Sequence, residues 1–228
     1  MANNIDTEKT GKLVVTFSSF LGTYKKLLTI IGIVVVLALV ALWIGLSVAN
    51  SNADKRQLVI DGLQADYTAW VALEDKTTAE ATASAEKLVA GLQDLASKGG
   101  SKYPELKAEY LLAMVNHTNE AFPAALEGFL KVADKGKDTY LGPLSLNNAA
   151  VVSEQLGDNA KALEYYQRVY DTYGKETAEA PKALFNVARL QEAGNNVALA
   201  KAVLQQLADE FPSSEYAKLA QSRLVVLQ

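Results

Sequence analysis

The chain has 228 residues with no cysteine, one histidine and a formal net charge of −4 at pH 7. The lack of cysteine excludes disulfides, thiolate metal sites and thiol nucleophiles, and a lone histidine leaves no paired-histidine metal site or histidine-based triad. Residues 1–26 carry a net +2, whereas residues 27–228 carry a net −6, which disfavours nucleic acid as a partner.

The first strong element is a predicted transmembrane helix at residues 27–48. These residues contain no Asp, Glu, Lys or Arg, and as a helix they would span roughly 33 Å, enough to cross the hydrocarbon core. Lys12, Lys25 and Lys26 precede the stretch, while Lys55 and Arg56 follow it. The basic bias before the stretch predicts a single-pass protein with a cytoplasmic N-terminus and its remaining domain outside the cytoplasm.

Two alternatives concern this N-terminal part. Residues 47–49 read Ser-Val-Ala, a cleavage site that would suit a signal peptide, although the apolar stretch is longer than the roughly 7–15 residues of a signal core. Residues 1–26 are predicted to be a short cytoplasmic tail. Within it, residues 13–24 have the spacing of an interfacial amphipathic helix, and a frayed extension of the membrane helix accounts for them equally well.

A diverged helical hairpin is predicted at residues 53–103, after a short polar link at residues 49–54. Apolar residues at helical spacing place its two helices at residues 53–74 and 77–98. The sequence KGGSKYP at residues 98–104 marks its end, and Pro104 suits the first turn of the helix that follows. The repeat domain should therefore lie close to the membrane.

Residues 104–228 contain one helix-turn-helix pattern three times, followed by a capping helix at residues 213–228. Each copy has a small residue in its first helix, a turn, a second small residue, and a large residue four positions later. Small residues let the two helices cross closely, and the large residue fills the space to the next hairpin. The three sets are Ala113, Ala125 and Phe129; Ala150, Ala162 and Tyr166; and Ala188, Ala200 and Leu204.

The turns inside these hairpins differ in glycine content. The second copy has Gly157, the third has Gly194 followed by Asn195, and the first, at residues 117–120, has no glycine. Asparagine is the non-glycine residue that best tolerates the left-handed conformation, so Asn195 is predicted to adopt it.

This order of small, turn, small and large residues resembles the tetratricopeptide repeat (TPR) family. The resemblance implies an all-α fold, a superhelical solenoid of α-α hairpins, which here follows the single transmembrane helix predicted above. It also implies a non-catalytic protein that binds other proteins or peptides. Two positions depart from the family pattern: Gly174 stands where a closing proline is expected, and Asn195 where the glycine is expected.

In TPR proteins the first helices of the hairpins line a concave surface, and the register set by Ala113, Ala150 and Ala188 predicts which side chains face it. An alternative is that some of these only pack against neighbours. Phe185 and Arg189 are expected to point away from the core, so that changing them would weaken binding without lowering the melting temperature. The predicted peptide-binding residues are Tyr110, Met114, Asn147, Asn148, Val151, Lys182, Phe185 and Arg189, with His117, Glu154 and Glu192 on the same faces.

Some TPR proteins hold a peptide C-terminus with a fixed set of Lys, Asn and Arg side chains. Asn148 and Lys182 match two positions of that set, but Tyr110, Met114 and Asn186 occupy the other three. The sequence therefore does not predict a carboxylate clamp.

No pattern in the sequence predicts catalysis. Neighbouring carboxylates such as Glu74 and Asp75 point in different directions on a helix, which is unsuited to paired acid-base work. Gly99 and Gly100 are not followed by the Lys and Ser/Thr of a phosphate-binding loop. We predict no enzymatic activity, no cofactor and no metal, and we interpret His117 as a surface histidine beside a turn.

The whole arrangement is similar to bacterial membrane-anchored TPR proteins of the ancillary Sec-translocon-subunit type. Residues 211–217 (FPSSEYA) also look like the repeat junctions of envelope TPR proteins. This resemblance implies an inner-membrane protein whose repeats lie in the periplasm and dock translocon or envelope proteins. The alternative is a self-associating structural envelope protein, in which the apolar residues 224–227 (LVVL) pair with a second copy to form a homo-oligomer.

Overall fold

The computed structural model describes residues 4–227, with side chains described at residues 15–17, 23–27, 29–31, 33–47 and 52–227. All regular elements in this part of the chain are helices, which confirms the predicted all-α class. The chain divides into two units, Met1–Lys55 and Arg56–Gln228.

The described residues of the first unit belong to helix α1, which runs from Asn4 to Val71. Its stretch Thr23–Val71 has a mean hydropathy of 3.1 over the most apolar 18-residue window, and none of that window is buried by other parts of the protein. Among the described residues, this is the helix long and apolar enough to cross a membrane. Most side chains of the suggested interfacial segment, residues 13–24, lie outside the described ones.

The predicted polar link at residues 49–54 is not a break. Helix α1 continues through it and ends at Val71. The sequence of the link, ANSNAD, contains neither glycine nor proline, so its residues reduce helix propensity without removing a backbone donor. The polar residues of this link therefore do not indicate the end of a helix.

The second unit is a stack of antiparallel helices. Each helix from α2 to α9 packs against its neighbours in the chain, and α3 also touches α5 as α7 touches α9. The three predicted hairpins are α3 with α4, α5 with α6, and α7 with α8. The bounds are α2 Ala79–Ser97, α3 Tyr103–Thr118, α4 Phe122–Lys135, α5 Leu141–Gln155, α6 Asn159–Tyr173, α7 Ala180–Ala193, α8 Val197–Glu210 and α9 Glu215–Val226, with a short 3-10 helix at Gly174–Glu176.

The first hairpin, formed by the end of α1 and by α2, belongs to the same core as the repeats. Ile60 and Trp70 of α1 are 1% and 3% exposed, and they share one cluster with Leu92 of α2 and Leu106 of α3. Arg56 adds an ion pair, with its Nε 2.9 Å from Oε1 of the buried Glu105 in α3. The end of α1 is therefore an integral part of the stack.

Small residues lie where the paired helices cross. Ala150, Ala162, Ala188 and Ala200 are all at most 1% exposed, as the repeat pattern requires. In the first repeat, the two helices of the hairpin also approach closely at Gly128, a residue that the repeat pattern did not identify. A Cβ added to Gly128 would lie 2.8 Å from the Cβ of Ala113, whereas the sequence paired Ala113 with Ala125, which is also fully buried.

The turns inside the three hairpins have the same geometry. In each, the backbone N–H of the residue before the second helix donates to a carbonyl five residues earlier, at 2.8 Å for Ala121, Asp158 and Asn196. The preceding residue has a positive φ: 78° for Gly157, 60° for Asn195 and 59° for Glu120. The prediction for Asn195 is confirmed, and Glu120 adopts a conformation that a glutamate disfavours.

Glu120→Gly is expected to stabilise the protein. Glycine removes the cost of a Cβ at φ 59°, roughly 1–2 kcal/mol, but gains entropy in the unfolded chain, so the net stabilisation is about 0.5–1 kcal/mol. That corresponds to a rise in melting temperature of about 1–4 °C for a domain of this size. Glu127→Gly, in the exposed middle of α4, is the control and should lower the melting temperature. A fall for both variants would contradict the assignment of strain to Glu120.

Candidate protein-binding surface

The first helices of the hairpins, α3, α5 and α7, and the terminal helix α9 lie side by side. We call their outward side the first-helix surface. Polar contacts cross it from helix to helix: Asn148 Nδ2 donates to the hydroxyl of Tyr110 at 3.0 Å, and His117 Nε2 lies 2.9 Å from Gln155 Oε1. His117 thus has a polar partner on the next repeat, consistent with its interpretation as a structural surface residue.

Most of the predicted binding residues do lie on this surface. Met114, Asn148, Val151, Lys182 and Phe185 are half-buried, and Arg189 is exposed. Each of the three first helices therefore contributes side chains that a partner could touch.

Tyr110 is only 8% exposed and forms the floor of the surface. Its ring packs on Phe129 at 5.8 Å between centroids, and Nζ of Lys107 lies 5.2 Å from the centroid of the Tyr110 ring. Burial raises the pKa of the Tyr110 hydroxyl, and the oxygen of this hydroxyl accepts the hydrogen bond from Asn148.

Asn147 does not belong to the surface. It is fully buried, and its Nδ2 donates to Glu179 at 2.6 Å to Oε2 and 3.3 Å to the backbone oxygen. These bonds tie α5 to the residue before α7. Because Asn147 and Asn148 are adjacent, they point about 100° apart on the helix, and only Asn148 faces outward.

Ion pairs connect consecutive first helices at one edge of the surface. Nη2 of Arg189 in α7 lies 2.7 Å from both carboxylate oxygens of Glu154 in α5, and Arg223 of α9 pairs with Glu192 of α7. The Glu192–Arg223 hydrogen bonds hold the pKa of the Glu192 carboxyl below its ordinary value. The two guanidinium groups therefore help to hold neighbouring repeats together.

Glu154 also receives a hydrogen bond from the second helix of its own hairpin. The hydroxyl of Tyr166, a residue 1% exposed, donates to Glu154 Oε1 at 3.0 Å. Burial, and then the charge of Glu154, raise the pKa of Tyr166.

Arg189 and Phe185 both make contacts within the fold. Arg189 pairs with Glu154, and the ring of Phe185 packs on Tyr216 of α9. From these contacts we expect substitution of Arg189 or Phe185 to lower the melting temperature, contrary to the expectation from the sequence.

A double-mutant cycle on Glu154 and Arg189 should give a coupling free energy of about 0.5–1 kcal/mol. The pair uses a single guanidinium nitrogen and is partly exposed, which limits its strength. Urea unfolding of Glu154→Gln, Arg189→Gln and the double variant measures it. The control is the exposed ion pair of Lys161 and Asp158, which lies at the start of α6. The coupling free energy of this pair should be smaller. Additive effects for Glu154 and Arg189 would mean that the ion pair does not join the repeats in solution.

Two cavities open on the first-helix surface. A small one of about 60 Å³ lies beside Met114, His117 and Phe129. A second, of about 470 Å³, lies between α7, α8 and α9. Leu204 and Arg223 line it, and sequence reasoning did not identify either as a site residue. The sequence does contain a signal for this cavity, because Leu204 stands at the repeat position where the other two repeats have an aromatic residue.

The side chains of the described residues contain no group of three or more His, Cys, Asp or Glu that could hold a metal ion. The first-helix surface presents apolar, amide and charged side chains, the kinds of group that contact a polypeptide.

A family model of the tetratricopeptide repeat matches residues 182–214, which include α7 and α8. The chain folds as TPR-like repeats. A TPR repeat-containing protein of Treponema pallidum (strain Nichols) is 28% identical over 148 residues, which are 64% of this chain and 60% of that protein. The match thus spans well under two thirds of this relative's length.

Solved TPR structures have the same fold. The nearly identical TPR-like repeats of a Podosopora anserina protein assigned as a kinesin light chain superpose with a TM-score of 0.53 and 14% identity, covering 74% of this chain and 86% of that one. A variant of those repeats with one substitution gives a TM-score of 0.54 at 14% identity, covering 74% and 85%. At such identity the likeness concerns the arrangement of the TPR helices.

Proposed function

We propose that this protein is a membrane-anchored, non-catalytic TPR scaffold that docks partner proteins or peptides on the first-helix surface. The carrying observation is that the first helices of the three hairpins, α3, α5 and α7, together contribute apolar and cationic side chains that the fold leaves partly open. Met114, Val151 and Phe185 are half-buried apolar residues, and neither Lys107 nor Lys182 forms an ion pair with a described residue. Repeat stacks use such continuous faces to bind extended partners.

The proposed anchor is the apolar part of α1. An unburied helical stretch with mean hydropathy 3.1 supports it, and the lysines before that stretch favour a cytoplasmic N-terminus. The repeats would then lie on the outer side of a bacterial inner membrane, where a translocon or envelope chaperone-like role is the finer proposal.

Reporter enzymes fused after residue 228 test this topology. A reporter that works only outside the cytoplasm should be active, and one that works only inside should be inactive. The reverse result would overturn the proposed orientation.

Site-specific photocrosslinking in native membranes tests the docking surface. A photoreactive residue at Val151 or Lys182 should crosslink the same partner protein, identified by mass spectrometry, because both positions face the first-helix surface. Lys161, an exposed residue of the second helix α6, is the control and should not give that product. Equal crosslinking from Lys161 would show that binding does not use the first-helix surface.

Self-association is the second candidate, and one observation favours it. On α9, Leu219, Val225 and Val226 are 51%, 68% and 69% exposed. The predicted run at residues 224–227 contributes only in part, since Leu224 and Leu227 pack into the core cluster below α9. If α9 pairs with a second copy, Val225→Asp should convert a dimer in detergent to a monomer. A monomeric unsubstituted protein would exclude this candidate.

A further inference from the structure

The third repeat contains a cavity much larger than the corresponding one in the first repeat. Its volume of about 470 Å³ lies within the range of roughly 300–1,000 Å³ typical of ligand pockets, whereas the corresponding space in the first repeat is about 60 Å³. We call it the α7–α9 cavity. Its lining residues are Phe185, Ala188, Arg189, Glu192, Ala193, Leu204 and Arg223.

One residue position accounts for the difference. Phe129, Tyr166 and Leu204 each follow the second small residue of their hairpin by four positions. The aromatic rings of Phe129 and Tyr166 are 1% exposed and occupy the space between consecutive first helices. Leu204 is shorter than either ring, so the same space in the third repeat stays open.

The hydrogen bonds of two equivalent glutamates show the same difference between Tyr166 and Leu204. Glu154 and Glu192 occupy the same repeat position, and Glu154 accepts a hydrogen bond from Tyr166. Glu192 pairs with Arg223 of the next helix, just as Glu154 pairs with Arg189, but it has no hydroxyl donor among the described residues of α8. The third repeat thus keeps the ion pair at the rim and lacks the buried ring, which leaves an opening below the ion pair.

The chemistry of the cavity favours an uncharged occupant. Its floor is formed by Phe185, Ala188 and Leu204, which are apolar. Both guanidinium groups at the rim are already compensated, Arg189 by Glu154 and Arg223 by Glu192. A charged side chain entering here would lose water without finding an unpaired counter-charge, whereas an apolar one loses nothing comparable.

We infer that the α7–α9 cavity binds one large apolar side chain, aliphatic or aromatic, from a segment of a partner protein. This inference rests on the proposed docking function and adds the chemistry of an anchor residue to it. The segment lies along the first-helix surface and inserts that residue beside Leu204. In protein interfaces a few residues buried in well-packed pockets carry most of the binding free energy.

A peptide selection with the full chain in lipid nanodiscs tests the inference. Phage-displayed random dodecapeptides are selected after removal of those that bind empty nanodiscs. The selected peptides should share one Leu, Ile, Met, Phe or Trp, and replacing it with alanine should weaken binding about tenfold by fluorescence anisotropy. Selection of no binder, or of binders without an apolar residue in common, would overturn the inference.

Two variants close the cavity without removing core volume. Leu204→Tyr introduces the residue that the second repeat uses, and Ala193→Trp places a large ring at the exposed mouth. Each variant should weaken binding of the selected peptides about tenfold. Each should have little effect on binding of the alanine-substituted peptides, because these already lack the apolar anchor. Ala198→Tyr, on the exposed side of α8, is the matched control and should bind normally. Thermal melting shows that each variant folds.

The same peptides separate the two levels of the proposal. If the affinity of the peptides is unchanged by Leu204→Tyr and Ala193→Trp but falls with Lys182→Glu, the cavity inference is overturned, and docking on the first-helix surface is still supported. If none of the three substitutions changes the affinity, both the cavity inference and the proposed docking surface are overturned.

Discussion

Ala162→Leu and Ala200→Leu are each expected to destabilise the repeat stack by about 1–3 kcal/mol or more. Both alanines are fully buried where the two helices of a hairpin cross, so a larger side chain must push the helices apart. The melting temperature, followed by circular dichroism, should fall by about 2–4 °C for each kcal/mol lost.

The controls for these changes lie on the same helices. Ala160→Leu on α6 and Ala198→Leu on α8 add the same volume at exposed positions and should leave melting almost unchanged. If the buried and exposed substitutions had equal effects, the register of the second helices would be wrong.

Trp70→Ala should have the largest effect, about 3–5 kcal/mol, because it empties a large volume in the core. Trp70 is 3% exposed and stands at the end of α1 among residues of α2 and α3. Urea unfolding should shift to a lower midpoint with a similar slope.

The second tryptophan of the chain gives a matched control. Trp43 is 69% exposed and lies in the apolar part of α1, so Trp43→Ala should leave unfolding of the repeats unchanged. Should Trp70→Ala be equally neutral, the end of α1 would not belong to the repeat core.

Much of the fold could be predicted because helical periodicity and small residues are local signals. The spacing of Ala150, Ala162 and Tyr166 set both the hairpin and its register, and the turn at Asn195 followed from the tolerance of asparagine for positive φ. Glu120 could not be predicted in the same way. Its left-handed conformation is imposed by the two helices it joins, and a glutamate does not signal it.

The binding surface was harder to predict than the fold. Whether Asn147 or Asn148 faces outward depends on a rotation of one residue along α5, which periodicity resolves poorly. The pairing of Glu154 with Arg189 joins positions 35 residues apart in sequence, so it depends on how two repeats stack. The α7–α9 cavity arises from a comparison among repeats, and none of its lining residues is unusual by itself.

The neighbour-to-neighbour packing of the helices has a consequence for amide hydrogen exchange. Helix α5 is held by α3, α4 and α6, whereas α9 is held chiefly by α7 and α8. In such a stack, local opening should cost least at an end and most in the middle, so the amides of α9 should exchange sooner than those of α5. Because α9 closes one side of the α7–α9 cavity, an occupant there should slow exchange in α9 more than elsewhere.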